Sequence, residues 1–143
     1  MPFLPAATAR ALLAGFGAVG LDAEALREAA GIAPAALEPV DGVLPAEAFG
    51  RLWEVAFRQA PREELPAEVG LAVPFGAFGA LDYLAASSPT VEAAFHALAA
   101  HFRYVAAGFA LEVARRPDGG TVQLVHEKGA PELDRVAEVS DEF

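Results

Sequence analysis

The chain has 143 residues, of which 55% are hydrophobic and 21% charged, and it contains no cysteine. This length and apolar content exclude intrinsic disorder, and we expect residues 1–143 to form a single domain. The lack of cysteine excludes a disulfide framework, a cysteine-ligated zinc site and a cysteine nucleophile.

The acidic charge of the chain limits its partners. Its formal net charge is −10 and its pI is near 4.6, so we expect no contact with nucleic acid through phosphates. No apolar run reaches the roughly 18 residues of a membrane span, and the N-terminus lacks the charged start of a signal peptide. We therefore expect a cytoplasmic protein that makes no contact with a membrane.

The first forty residues favour short helices. Thr8 is a candidate cap for a helix that ends near Val19, where Gly20 follows as a stop signal. Asp22 is a candidate cap for a second helix that ends at Gly31.

The segment after Pro45 is the clearest amphipathic helix. Pro45 suits the first helical position, because proline lacks the N–H that would go unpaired there. The apolar residues that share one face by helical spacing are Phe49, Leu52, Trp53, Ala56 and Ala60. Pro61 ends this helix, and residues 62–68 have the composition of a polar loop.

Thr90 is positioned to cap a longer helix from Val91 to about Ala106. Its apolar face includes Phe95, Leu98 and Phe102, and a strip of small residues, Ala93, Ala97 and Ala100, lies on the far side. Only Glu92, His96 and Arg103 form a polar stripe. A helix this apolar is typical of a buried position, so we expect it at the centre of the domain, covered on two sides.

The hydrophobic period changes from 3.6 to 2 after Gly108. Apolar and polar residues alternate over 109–114 and over 121–126, and the turn signal Pro117-Asp118-Gly119-Gly120 separates them. This pattern predicts an antiparallel β-hairpin over about residues 108–127. Because two strands alone are marginal, we expect an α+β fold in which the hairpin packs on a mostly helical cluster. Residues 133–143 begin another helix-like segment.

Signatures of catalysis are missing from the sequence. His96 and His101 lie five residues apart on one predicted helix, which separates their directions by about 140° and prevents chelation of one ion. No Gly-x-Ser-x-Gly elbow and no phosphate-binding glycine loop occur in the sequence. We therefore expect no catalytic residue, no metal site and no cofactor, and the protein is not expected to be an enzyme.

A small-molecule site is harder to exclude, because such sites are apolar with a few polar groups. The candidates on otherwise apolar elements are Trp53, Tyr83, His101, Tyr104 and His126. Ordinary packing remains the alternative for each of them. His126 shares its strand parity with Val122 and Leu124, so it is predicted on the core face, where a ligand or a backbone carbonyl could be its partner.

Three segments carry a family resemblance. Residues 28–37 (EAAGIAPAAL), 44–54 (LPAEAFGRLWE) and 75–94 (FGAFGALDYLAASSPTVEAA) occur in this order. Together they resemble the arabinose-binding-like N-terminal domain of AraC-family bacterial transcriptional regulators. The resemblance extends over roughly Leu21 to Leu124.

The resemblance implies a domain that senses a small-molecule effector, often dimerises, and precedes a C-terminal pair of helix-turn-helix motifs. No basic recognition helix is found in this sequence, so we expect the chain to be a C-terminally incomplete N-terminal domain without its DNA-binding half. The strip Ala93, Ala97 and Ala100 is the predicted homodimer interface. The alternative is an interaction module that binds other proteins and no ligand.

Overall fold

The computed structural model of the chain describes residues 3–106 and 108–126. They form two compact units, which divide between Phe78 and Gly79. The predicted α+β fold is confirmed, whereas the single domain over residues 1–143 stays a prediction.

The first unit contains β1 (Phe3–Pro5), α1 (Ala6–Ala18), α2 (Ala23–Ala29), a 3₁₀ turn (Pro34–Ala36), β2 (Val43–Pro45), α3 (Ala46–Gln59) and α4 (Leu65–Ala72). The second contains α5 (Ala80–Ala86), α6 (Val91–His101), a 3₁₀ turn (Phe102–Tyr104), β3 (Phe109–Arg116) and β4 (Gly119–His126).

The first unit begins with a small antiparallel ribbon that was not predicted. β1 and β2 pair with Leu4 opposite Leu44, and both leucines are buried. Each strand leads through a proline directly into a helix, and Pro5 and Pro45 share the backbone angles φ −58° and ψ 139°. This extended ψ places both prolines just before their helices. The predictions that Thr8 caps the first helix and that Pro45 is the first helical residue are therefore wrong.

The core of the first unit lies between α1, α2, α3 and α4. Its largest fully buried side chains are Phe16, Leu26, Leu52, Leu65 and Val69. The predicted polar loop over residues 62–68 is replaced in part by α4. The acidic residues around Leu65 obscured the pair of apolar residues, four positions apart, that this short helix buries.

Three arginines fix the connection between α2 and β2 by donating to its backbone carbonyls. Arg10 donates to the carbonyl of Leu37 at 2.6 Å, and Arg51 donates to that of Ala30 at 2.8 Å. Arg27 donates to the carbonyl of Ile32. These hydrogen bonds satisfy backbone carbonyl oxygens that have no partner in a helix or a strand, because the connection is irregular.

The second unit contains the predicted hairpin. β3 and β4 are antiparallel, with Leu111 opposite Leu124 and Val113 opposite Val122, and β3 packs against α6. Thr90 caps α6 as predicted, since its hydroxyl oxygen accepts from the Ala93 N–H at 3.1 Å.

The prediction that the helix after Thr90 is the buried centre of the domain is wrong. α6 ends at His101, earlier than predicted, and none of its side chains is buried. Phe95, Leu98 and Phe102 are only half-buried. In the described residues its neighbours are the short helix α5, the following 3₁₀ turn and one strand of the hairpin, which together cover only part of its surface.

The helix-like segment predicted over residues 133–143 lies outside the described residues. Among the helices of residues 3–106 and 108–126, none has the length and apolar character needed to cross a membrane.

Candidate functional site

The end of α6 brings two of the predicted ligand-contacting residues together. His101 is the last residue of α6, and Tyr104 closes the 3₁₀ turn that follows. Because residues three apart eclipse one another in a 3₁₀ turn, the two rings fall on the same side of the chain. Their centroids are 6.2 Å apart and their planes differ by 26°, which is a stacked arrangement.

Arg103 completes this group of side chains. Its guanidinium carbon lies 5.2 Å from the centroid of the Tyr104 ring, within the range of a cation–π contact. Its Nη2 also donates to the Tyr104 hydroxyl at 3.4 Å. We call His101, Arg103 and Tyr104 the His101 cluster.

The His101 cluster is open to solvent. All three residues are exposed, and Tyr104 retains 60% of its accessible surface. The cluster combines an aromatic face, a fixed positive charge and polar hydrogens. This combination can hold a small molecule that carries a ring together with hydroxyl or carboxylate groups.

The sequence pattern did not predict the contact of Arg103 with Tyr104. A regular helix through Ala106 would place Arg103 in a polar stripe with Glu92 and His96. The change to a 3₁₀ turn after His101 places the guanidinium over the neighbouring tyrosine instead. The sequence carries no clear signal for this contact, because no residue pattern marks where α6 ends and the 3₁₀ turn begins.

Trp53 belongs to a separate aromatic row in the first unit. It is half-buried, and its ring meets the buried Phe16 edge-to-face at 5.0 Å. On α3 it also contacts Phe57, at 5.9 Å between centroids. Phe57 is 38% exposed, so this row extends from the core of the unit to its surface.

The remaining predicted site residues lie elsewhere in the second unit. Tyr83 is on α5 and is 62% exposed. His126 is the last residue of β4 and is paired in register with Phe109, while its side chain lies outside the described part of the structure. Their roles in ligand binding stay predictions.

The predicted dimer strip has mixed exposure. Ala100 is exposed, whereas Ala93 and Ala97 are half-buried. Its role as an interface also stays a prediction. Across residues 3–106 and 108–126, no three histidine or acidic side chains converge in a manner that could hold a metal ion.

Residues 20–140 match the family described as the arabinose-binding domain of AraC transcription regulator, N-terminal. Because this match covers most of the 143 residues, the chain belongs to that family. The resemblance predicted from the three sequence segments is thereby confirmed. Domains of this family are regulatory ligand-binding domains and are not enzymes. A comparison with curated proteins finds no match.

Proposed function

We propose that this chain is the effector-binding and dimerising part of a bacterial AraC-type transcription regulator that acts in the cytoplasm. The membership of the family supports a regulatory role that depends on a small molecule. The net charge of −10 would repel the phosphates of DNA, which supports a regulator in which another part of the protein contacts DNA.

The His101 cluster is the observation that carries the proposed effector site. Stacked rings present a flat face to the apolar side of a sugar or to another planar group, and the guanidinium and phenol donate hydrogen bonds to its oxygens. Arg103 is held in place by the tyrosine that it covers. An arginine ordered before binding loses less side-chain entropy when a ligand arrives.

Calorimetric titration of the chain with arabinose tests this proposal, since the description of the family names that sugar. We expect Tyr104→Ala to weaken binding about 10-fold or more, because it removes both the stacking face and the hydroxyl. Such a change corresponds to about 1.4 kcal/mol. We expect Arg103→Ala to weaken binding as well.

Arg115→Ala is the matched control, because Arg115 is an exposed arginine of the same unit that lies outside the His101 cluster. Equal binding by wild type and Tyr104→Ala would move the site away from the cluster. If neither arabinose nor a panel of other pentoses, hexoses and their acids binds, the alternative of a ligand-free interaction module gains support.

A further inference from the structure

Within β4 itself, the outer edge lacks the charged residues and prolines that protect many natural edge strands. In the described residues β4 pairs only with β3, so its second edge has no strand partner there. β4 covers residues 119–126 and contains no proline, lysine, arginine, aspartate or glutamate. Natural proteins guard exposed edges with those residues, because an unguarded edge offers N–H and C=O groups to an added strand.

We propose that this edge binds the β4 strand of a second copy of the chain, so that two hairpins form one four-stranded sheet. This inference rests on the dimerisation proposed above and identifies its surface. The net charge of the chain opposes self-association in general, but β4 contributes none of that charge. Each copy carries −10, so two copies approach with least repulsion along a segment without charge, and β4 is such a segment.

The sequence of β4 is self-complementary in an antiparallel register centred on Gln123. A two-fold axis at Gln123 places Val122 opposite Leu124 of the second copy, and Thr121 opposite Val125. Large apolar side chains then meet across the strands, which stabilises a sheet. An axis at Val122 instead would place Leu124 and Val125 opposite glycines and lose these contacts. Gln123 itself is exposed, and its amide can bond to that of its symmetry mate.

The opposite strand of the hairpin explains why assembly stops at two copies. β3 carries Glu112, Arg115 and Arg116, and charged residues on an edge strand disfavour further pairing. The resulting order β3-β4-β4-β3 is closed by a two-fold axis, the commonest symmetry of homodimers. A single pair of strands buries less surface than a standard interface, so we expect association at micromolar concentrations.

A single engineered cysteine tests the register, because the chain has no cysteine of its own. Directly opposed residues of antiparallel strands have Cα atoms about 4.5–5.5 Å apart, within the range of a disulfide. We expect Gln123→Cys to form a disulfide-linked dimer under mild oxidation. Glu112→Cys is the matched control, because Glu112 lies opposite Gln123 in the hairpin but belongs to β3, whose charged residues disfavour pairing with another strand. Equal crosslinking of both variants, or of neither, would overturn the proposal.

Gln123→Lys separates dimerisation from folding. Within one copy the new lysine lies opposite Glu112 and favours the hairpin, whereas in the dimer it lies opposite another lysine. We expect the dimer dissociation constant in sedimentation equilibrium to rise at least 10-fold, while the circular dichroism spectrum is unchanged. A dimer that resists Gln123→Lys but dissociates on Ala97→Glu would refute the β4 interface and leave the proposed function standing. A wild-type chain that stays at 14.8 kDa at tens of micromolar would refute both the β4 interface and the proposed dimerisation. The proposed effector binding would be unaffected by that result, because the arabinose titration measures it separately.

Discussion

The two units of the chain cover their apolar side chains to different extents. Every side chain that is buried in the described residues belongs to residues 3–78, where Phe16, Leu26 and Leu52 are completely enclosed. In the described side chains of residues 79–106 and 108–125 none is buried, and the exposed large apolar residues there are Tyr83, Leu84, Val91, Tyr104 and Leu124. The first unit therefore has an enclosed core, which the described part of the second lacks, whereas large apolar side chains are exposed on both units.

The composition of the principal helices explains part of this difference. α3 places large residues on one side and charges on the other, so its burial is concentrated on one face. α6 distributes alanines around its surface. A buried alanine removes little apolar area from water and contributes little to stability.

Phe16→Ala should produce the largest loss of stability. Phe16 is fully buried in α1 and supports the ring of Trp53. Removal of a buried phenylalanine costs about 3–5 kcal/mol through lost transfer energy and the cavity that remains. Urea unfolding followed by Trp53 fluorescence measures this, since Trp53 is the only tryptophan.

Phe57→Ala is the matched control, because Phe57 also contacts Trp53 but is 38% exposed. We expect a loss of about 1 kcal/mol, the value of a partly exposed aromatic contact. Equal losses for the two variants would contradict the assignment of the core to the Phe16 end of the aromatic row.

Gly15→Ala should produce the next largest effect. A Cβ at Gly15 would lie 2.9 Å from both the carbonyl oxygen and a methyl carbon of Val69, so α1 and α4 would have to separate. Overpacking of this kind costs about 1–3 kcal/mol. The free energy of unfolding in urea measures it.

Gly17→Ala, in the same helix, should change stability in the opposite direction. Its added Cβ would meet only the Cβ of Ala23 at 3.8 Å, and alanine favours a helix over glycine by about 0.5–1 kcal/mol. If Gly17→Ala loses as much stability as Gly15→Ala, the close approach of α4 does not explain the effect of Gly15→Ala.

Phe102→Ala should cost less than Phe16→Ala, and this comparison tests the difference between the units directly. Phe102 is half-buried at the start of the 3₁₀ turn. We expect a loss of about 1–2 kcal/mol, roughly half that of an enclosed phenylalanine. A loss of 3 kcal/mol or more in urea unfolding followed by circular dichroism, a value typical of full burial, would show that this side chain is enclosed in solution.

Local sequence signals predicted the elements of both units better than their burial. Asp22 caps α2 and Thr90 caps α6 because one side-chain oxygen and one backbone N–H, three residues apart, are sufficient. The hairpin was predictable because its turn and its alternation are both local.

The features that the sequence did not reveal depend on distant partners. β1 and β2 are three residues each and pair across about forty residues, too short for a periodic signal. The apolar pattern of α6 gives its face but not how much of that face its neighbours cover. The contact of Arg103 with Tyr104 depends on where α6 changes to a 3₁₀ turn, and no residue pattern fixed that position.

The smallest expected effect concerns Glu24 on the surface of the first unit. The Arg27 side chain donates two hydrogen bonds to the Glu24 carboxylate. This hydrogen bonding, together with the charge of Arg27, lowers the pKa of Glu24 below its ordinary value of 4.5 despite an opposing effect of desolvation. An exposed pair of this kind contributes little, and added salt should weaken it.

The direction of the pKa shift fixes how stability depends on pH. The folded chain releases the Glu24 proton at a pH at which the unfolded chain still binds it, so the pair contributes fully above pH 4.5. That contribution disappears as the pH falls through the lowered pKa of the folded state. We therefore expect wild type to unfold at a slightly higher urea concentration than Glu24→Gln near neutral pH, and at the same concentration in strong acid.

An NMR titration should place the midpoint of the Glu24 carboxyl below 4.5 in wild type and higher in Arg27→Gln, whereas Arg58→Gln, on α3, should leave it in place. A midpoint that Arg27→Gln leaves unchanged would mean that the pair does not persist in solution.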